Sequence, residues 1–292
     1  MPTTVRVNLF EVTHTPNTQK LSDTLVAFSK VPIEQRHRGD IRLEQVIRFP
    51  ADAVVPHEQF HLEFAKEREI GPGRMSRTAA ISNVGLQRDE LFGEETAALY
   101  LPSKKWLLVL NNPYGVGPSR MANYFNSLDP GSDAPYLDYL VQPMIDQRTL
   151  ERMRKVQRFA EIEVTASVGV FGGLDDQVAE SVLEAANGML AHRLTLKLCA
   201  NEKHKKGASL KPAAVRHFLE KLLPRSEDID KLTIKGDDEA LQDRDTVIDL
   251  LKHRIHEKYR ASELQVDNHR YTHGSKMDLL RRACRGWLTS LA

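Results

Sequence analysis

The sequence predicts an α+β protein in two parts: an N-terminal mixed antiparallel-sheet domain, then a smaller ferredoxin-like α/β domain. Three observations carry this reading. Segments of period two dominate the first half, as in "TVRVNLFEV" and "DIRLEQVIRF". A Pro/Gly/Ser/Asp-rich break, "DPGSDAPY", interrupts the pattern. Beyond it, strand-like and helix-like segments alternate, which suggests a small α/β sandwich. The expected division is 1–147 for the first domain, 148–158 for a bridging helix and 159–292 for the second.

Taken in order, "TVRVNLFEV" alternates Val5, Val7 and Leu9 with polar neighbours and reads as a strand. "KLSDTLVAFSKV" spaces Leu21, Leu25, Val26 and Phe28 as a helix, with Ser22 or Asp23 placed to cap it. "DIRLEQVIRF" and "EQFHLEFAKERE" are strands, and "GPGRMSR" stops the pairing. "ETAALYLPSKKWLLVLNN" reads as a hairpin turning between Pro102 and Lys104. "PSRMANYFNSL" is a short helix, with Pro118 suited to the first turn and Ser119 near the cap. "LVQPMIDQRTLERMRKVQRF" supplies a strand end and the bridging helix.

In the second part "AEIEVTASV", "HRLTLKLCA" and "DIDKLTIKG" read as strands. "LDDQVAESVLEAANGML" and "LKPAAVRHFLEKLL" read as helices between them. "DTVIDLLKHRIHEKY" and "SKMDLLRRACRGWLTSL" have helical spacing, with a short strand expected near "SELQV".

A chain of 292 residues, 41% hydrophobic and 28% charged, is long enough to bury a full core without metal or disulfide staples. The formal charge of +1 hides an asymmetry: residues 201–292 hold 19 Lys+Arg against 15 Asp+Glu and six of the 11 histidines. A basic C-terminal third points to a polyanionic partner. Cys199 and Cys284 are isolated, which fits a reducing cytoplasm. The N-terminus lacks a signal-peptide pattern, and no apolar run approaches the ~20 residues that span a bilayer. A cytoplasmic protein without membrane insertion is expected.

Several motifs invite chemistry and fail on context. "GVGPSR" has two of the glycines of a dinucleotide loop, but it follows a hairpin rather than opening a βαβ unit, and no Gly-Lys-Ser/Thr pair follows. Its glycines are expected to serve positive φ or close packing. His57, Glu58 and His61 spell HExxH, which binds zinc only on a helix. Phe60, Leu62 and Phe64 alternate around His61 as in a strand, which would set His57 and His61 ~13 Å apart, too far for one ion. "KGDDEA" offers Asp237, Asp238 and Glu239 to a Mg²⁺-dependent nuclease; the expectation is an acidic turn that ends a strand and caps the next helix. No GxSxG elbow and no cysteine nucleophile context occurs. No catalytic residue, metal ligand or cofactor is assigned.

The basic stretch from Lys203 to Arg225, "KHKKGASLKPAAVRHFLEKLLPR", holds seven Lys/Arg and one acid, Glu220. Lys203, Lys205 and Lys206 sit in a loop, Lys211 and Arg216 on the following helix, and Lys231 and Lys235 on one face of a strand. Mobile lysines beside a helix N-terminus suit phosphate. Aromatic residues are scarce there, so contact with a duplex backbone is favoured over single strands.

The order "LFGEETAALYLPSKKWLLVLNNPYGVGPSRMANYF", then "VQPMIDQRTLERMRKVQRFAEIEV", then "DIDKLTIKGDDEA" resembles the RexA-like phage-exclusion proteins and their related bacterial and prophage domain family. The resemblance runs from about Phe60 onward and more loosely before it. It implies a non-enzymatic homodimer that binds double-stranded DNA with little sequence preference in anti-phage defence, with a membrane-protein partner encoded alongside in some systems. It also implies DNA contacts on the strand "LTIKGDDEA". Lys235 matches one such basic position, whereas the second falls at Asp237, so part of the contact set must differ or come from Lys231 and the Lys203–Lys206 loop. A metal-dependent nuclease and an effector or toxin component of a defence system are the alternatives.

Overall fold

Strand alternation in the first half of the chain is realised in a large, mostly antiparallel sheet that curls into a half-barrel. The computed structural model describes residues 4–16, 18–68, 70, 71, 78, 80, 82–87, 90–128, 138–171, 183, 184, 186, 188–200, 209–223, 229–238 and 243–291. The sheet contains β1 (Thr4–His14), β2 (His37–Arg38), β3 (Ile41–Phe49), β4 (Gln59–Arg68), β5 (Phe92–Leu101), β6 (Trp106–Leu110), β7 (Tyr139–Pro143) and β12 (His256–Arg260). Its order is β12-β1-β6-β5-β4-β3-β2, with β7 also pairing β1. The expected hairpin is present: β5 pairs antiparallel with β6, and Lys105 takes a positive φ in the turn. All five residues of β6 are buried, which explains its unbroken apolar run.

Two helices follow the sequence reading with corrected caps. α1 (Leu21–Phe28) begins after Lys20 without a side-chain cap, so Ser22 and Asp23 lie inside its first turn rather than capping it. α2 (Pro118–Asn126) starts with Pro118 in its first turn, and the backbone of Gly117 takes the cap position near which Ser119 was expected.

The second part of the chain forms α3 (Gln147–Lys155), β8 (Phe159–Ser167), α4 (Val168–Phe171), β9 (Arg193–Cys199), α5 (Pro212–Leu222), β10 (Ile229–Asp238) and β11 (Asp243–Asp249). Its four-stranded sheet has the order β11-β10-β8-β9, every pair antiparallel. Phe159, Ile162, Val164, Leu232 and Ile234 turn one face of it into a core with Leu219 and Leu222 of α5. The helix expected across "LDDQVAESVLEAANGML" lies largely outside the described residues.

This sheet is α+β but departs from the ferredoxin-like order. A ferredoxin-like unit runs its first two strands parallel with another strand between them. Here β8 and β9 are hydrogen-bonded antiparallel neighbours. A second correction concerns "DTVIDLLKHRIHEKY", expected as a helix and observed as β11, a turn and β12. Val247 is exposed, Ile248 buried, Asp249 half-buried and Leu250 buried, so the burial has period two. The Thr246-Val247-Ile248 run suits a strand, and pairing with β10 overrides the helical spacing. The "SELQV" strand shortens to β13 (Val266–Asp267), which pairs with β14 (Arg270–Tyr271) across a two-residue turn.

Contacts divide the chain into two compact units, one of residues 1–8, 12–139 and 257–292, the other of 9–11 and 140–256. The expected second domain of 159–292 therefore gives up its C-terminal segment. α6 (His273–Ser290) explains why: Lys276, Leu279, Leu280, Ala283, Cys284 and Trp287 form a stripe at helical spacing, and it is buried on the first unit's sheet. Thr272 caps this helix by accepting from Ser275 N at 3.3 Å.

In the second unit Gly236 lies at a register shift of β10, opposite Phe159. A Cβ there would sit 2.4 Å from Arg158 O and 2.7 Å from Val156 Cγ1. The carbonyl is backbone and cannot swing away. Gly236→Ala is expected to destabilise the second unit by about 1–3 kcal/mol, as overpacked interiors do. Urea unfolding followed at that unit checks it; an unmoved midpoint would show that β10 and the Val156–Arg158 turn can separate.

Candidate functional site

The basic residues singled out in the sequence fall into three groups. Lys203, Lys205 and Lys206 lie outside the described residues. Arg216 is occupied in folding: Nη2 donates to Arg154 O at 3.2 Å and Val156 O at 3.1 Å, and the guanidinium lies 5.9 Å from the Phe159 ring centroid. It thereby satisfies carbonyls at the end of α3. Lys211, exposed, precedes the first residue of α5.

Lys231 and Lys235 do share the open face of the four-stranded sheet, as their even spacing predicts. That face is laced with charge of both signs. Lys231 Nζ is 2.7 Å from Glu163 Oε1, Lys197 Nζ is 2.8 Å from Glu161 Oε1, and Arg193 pairs with Asp230. Lys197 is the largest influence holding the Glu161 carboxyl below its usual range, and Lys235 adds to it. Exposed pairs of this kind contribute ~0–1 kcal/mol each.

The ends of the lysine-rich connection meet Lys235. Ala200 N donates to Ala160 O and Leu210 N to Phe159 O, both at 2.8 Å. Lys235 stands opposite Glu161 in the adjoining register. Both anchors of the 201–208 segment, Lys211 and Lys235 therefore gather at one end of this sheet. Lys231 lies four residues along β10, ~13 Å away by the strand rise. The next element described after "KGDDEA" is a strand rather than a helix: Asp237 and Asp238 end β10, β11 follows, and Glu239 lies outside the described residues.

The glycine loop after β6 is a tight connection. A Cβ on Gly115 would lie 2.1 Å from Thr96 Oγ1 and 3.2 Å from Asn112. Thr96 Oγ1 instead accepts from Val116 N at 2.8 Å, and Asn112 Oδ1 accepts from Tyr114 N at 3.1 Å. The loop also forms one wall of a cavity of about 720 Å³ in the first unit.

HExxH is broken by a strand. His61 lies within β4, whereas His57 precedes it in a loop with Nδ1 3.0 Å from Ser103 Oγ. Among the described residues no group of three or more His, Cys, Asp or Glu is arranged to hold a metal ion. Cys199 and Cys284 are both free thiols, and burial pushes that of Cys284 up to about 12.

A polar cluster that sequence reasoning missed lies where α6 covers β4 and β5. Gln59, His61 and Glu63 alternate with Phe60, Leu62 and Phe64, and the polar side of β4 is as enclosed as the apolar side near its start. Lys276, 6% exposed, sets Nζ 2.6 Å from Glu63 Oε1 and 3.2 Å from Glu95 Oε2. His273 Nδ1 is 3.0 Å from the same Glu63 oxygen, and Arg270 pairs with Glu95. Burial alone would raise the Glu63 carboxyl; Lys276 and His273 outweigh it and hold it below its ordinary value. Burial, with the charges of His273 and Arg281, takes His61 down to about 3. One signal was available in the sequence: Lys276 occupies a core position of an otherwise apolar helical stripe.

A protein-family profile matches residues 4–281. The chain belongs to DUF6731, a family of unknown function. The match takes in both units of this DUF6731 protein, so the sheet, the cluster beneath α6 and the four-stranded unit all lie within the family domain. No curated protein matches it. Among the described residues no helix is long and apolar enough to cross a membrane.

The buried imidazole gives a test of the cluster. His61 is neutral in the folded DUF6731 chain, while an unfolded chain binds a proton below the ordinary value of 6.5. Its contribution is therefore complete above pH 6.5 and is lost as the pH falls toward 3. Between pH 6 and pH 5 stability is expected to decline with a slope approaching 1.4 kcal/mol per pH unit from this group. His61→Phe, which keeps a ring against Phe49, should flatten that part of the profile; an identical slope in the variant would show that His61 is protonated in the fold.

Proposed function

We propose that this chain binds double-stranded DNA through its second unit, with little sequence preference and without catalysis, as a homodimer in defence against phage. The observation that carries the reading is the convergence described above. The lysine-rich 201–208 connection is anchored at the end of the sheet that carries Lys211 and Lys235. Phosphate neutralisation needs several cations within reach of one backbone track and no particular base contact.

The charge pairs on the open sheet face narrow the assignment. Lys231 faces Glu163 and Lys235 acts on Glu161, so each meets a carboxylate as well as any phosphate, and Lys231 also stands away from the anchored end. Arg216 supports the fold rather than the ligand. The proposed contact set is therefore Lys203, Lys205, Lys206, Lys211 and Lys235, with Lys231 at its margin. Asp237, at the second basic position implied by the resemblance, contributes no cation.

Duplex affinity is expected to fall steeply with salt, because each neutralised phosphate releases counterions. Changing Lys205, Lys206 and Lys235 together to Ala should weaken binding equally on unrelated duplexes and reduce the salt slope by about one unit per lost contact. Titrations of labelled duplex at several ionic strengths read both quantities. Unchanged affinity and slope in the triple variant would refute this surface, and metal-dependent nicking of plasmid by the pure protein would refute the absence of catalysis.

A further inference from the structure

We infer that the cavity in the first unit is a binding site for a nucleoside phosphate. Its volume, about 720 Å³, lies within the ~300–1,000 Å³ typical of small-molecule sites. Nothing in the duplex-binding reading uses it, and none of the lysines of that reading lines it.

The charge around the cavity is unequal once each group is assigned its partner. Arg6, Lys258, Arg270 and Lys276 line it against Glu94 and Glu95. Glu94 is held by Arg68, and Asn112 Nδ2 lies 3.3 Å from it. Glu95 is shared between Arg270 and Lys276, and Lys276 is also matched by Glu63. Both carboxylates are thus already compensated. Arg6 on β1 and Lys258 on β12 remain, exposed, on neighbouring strands, with no carboxylate partner among the described residues. Two uncompensated cations at one edge of a concave site call for an anion that can be engaged by both, and a guanidinium beside an ammonium is well suited to a phosphate group.

The remaining walls favour more than a bare anion. Tyr114 and Tyr271, with Val5, Leu110 and Pro113, give the cavity aromatic and apolar surface on which a planar ring can rest. Asn111 adds a side-chain amide with both a donor and an acceptor, the pairing that reads the edge of a base. Much of the wall is rigidly set. Asn112 Nδ2 donates to Glu95 O at 2.8 Å, and Arg68 lies 5.6 Å from the Tyr114 ring centroid. Opposite, Asn268 and His269 both take positive φ in the two-residue turn between β13 and β14, which fixes Arg270 beside Glu95. Walls preset in this way lose less order on binding.

The test is a calorimetric titration of the full chain with ATP, GTP, AMP and inorganic phosphate, repeated on Arg6→Ala/Lys258→Ala and on Tyr114→Ala. All three positions are exposed, so circular dichroism should show intact folding. At least one nucleoside phosphate is expected to bind with a Kd below about 100 μM, and each variant to weaken it about tenfold or more. Inorganic phosphate should bind at least about tenfold more weakly than that nucleotide, because it leaves the aromatic walls unused. Failure of every nucleotide to bind below millimolar concentration would overturn the assignment. Equal binding by the Arg6/Lys258 variant, or equal binding of inorganic phosphate, would do so too.

Discussion

A single buried ammonium organises the first unit. Lys276 lies at a core position of the last helix, and its charge is tolerable there only because Glu63 and Glu95 reach it from adjacent strands. Removing a partner from a buried pair leaves an uncompensated charge, which costs far more than the intact pair contributes. The arrangement therefore acts as a register pin. The apolar stripe of Leu279, Leu280, Ala283 and Trp287 could slide along a hydrophobic sheet face, whereas the ammonium has one place to go. Everything that lies at the beginning of α6, including the β13–β14 turn and the cavity wall it forms, inherits its position from that pin.

The same constraint explains why a single unit contains both ends of the described chain. The sheet begun by β1 is completed at its edge by β12, and its polar inner side on β4 is closed by α6. His61 and Glu63 would be ordinary solvent-facing residues of an amphipathic strand without this cover. Under it they become a neutral imidazole and a firmly ionised carboxylate. The second unit uses charge differently, as pairs spread over an open sheet face. These stabilise little individually.

Much of this was legible in the sequence, and the misses have physical causes. Period-two runs gave β1, β3, β4, β8, β9 and β10, because strands half-buried in antiparallel sheets write their alternation plainly, and the turn between Pro102 and Lys104 gave the β5–β6 hairpin. The strand around His61 also removed the HExxH reading, since Phe60, Leu62 and Phe64 cannot share a buried side in a helix. What failed was non-local. The β-branched Thr246-Val247-Ile248 run was a local hint, but helical spacing over a short apolar run is ambiguous by itself and the pairing with β10 decided it. The return of 257–292 to the first unit depends on contacts more than a hundred residues apart in sequence. The Glu63–Lys276–Glu95 cluster was hidden for the same reason, although a lysine within the stripe of Leu279, Leu280 and Ala283 was a visible anomaly. Three of the proposed DNA contacts were read from composition alone, and that reading rests on the sequence.

Amide hydrogen exchange on Lys276→Ala tests the pin most directly. Breaking a buried pair costs about 3–5 kcal/mol, so amides of the last helix, residues 273–290, should exchange more than about a hundredfold faster. Those of β8 and β10 in the second unit should keep their protection. Wild-type protection across 273–290 in the variant would contradict the claim that this ammonium holds the helix, and with it the walls of the cavity, in place.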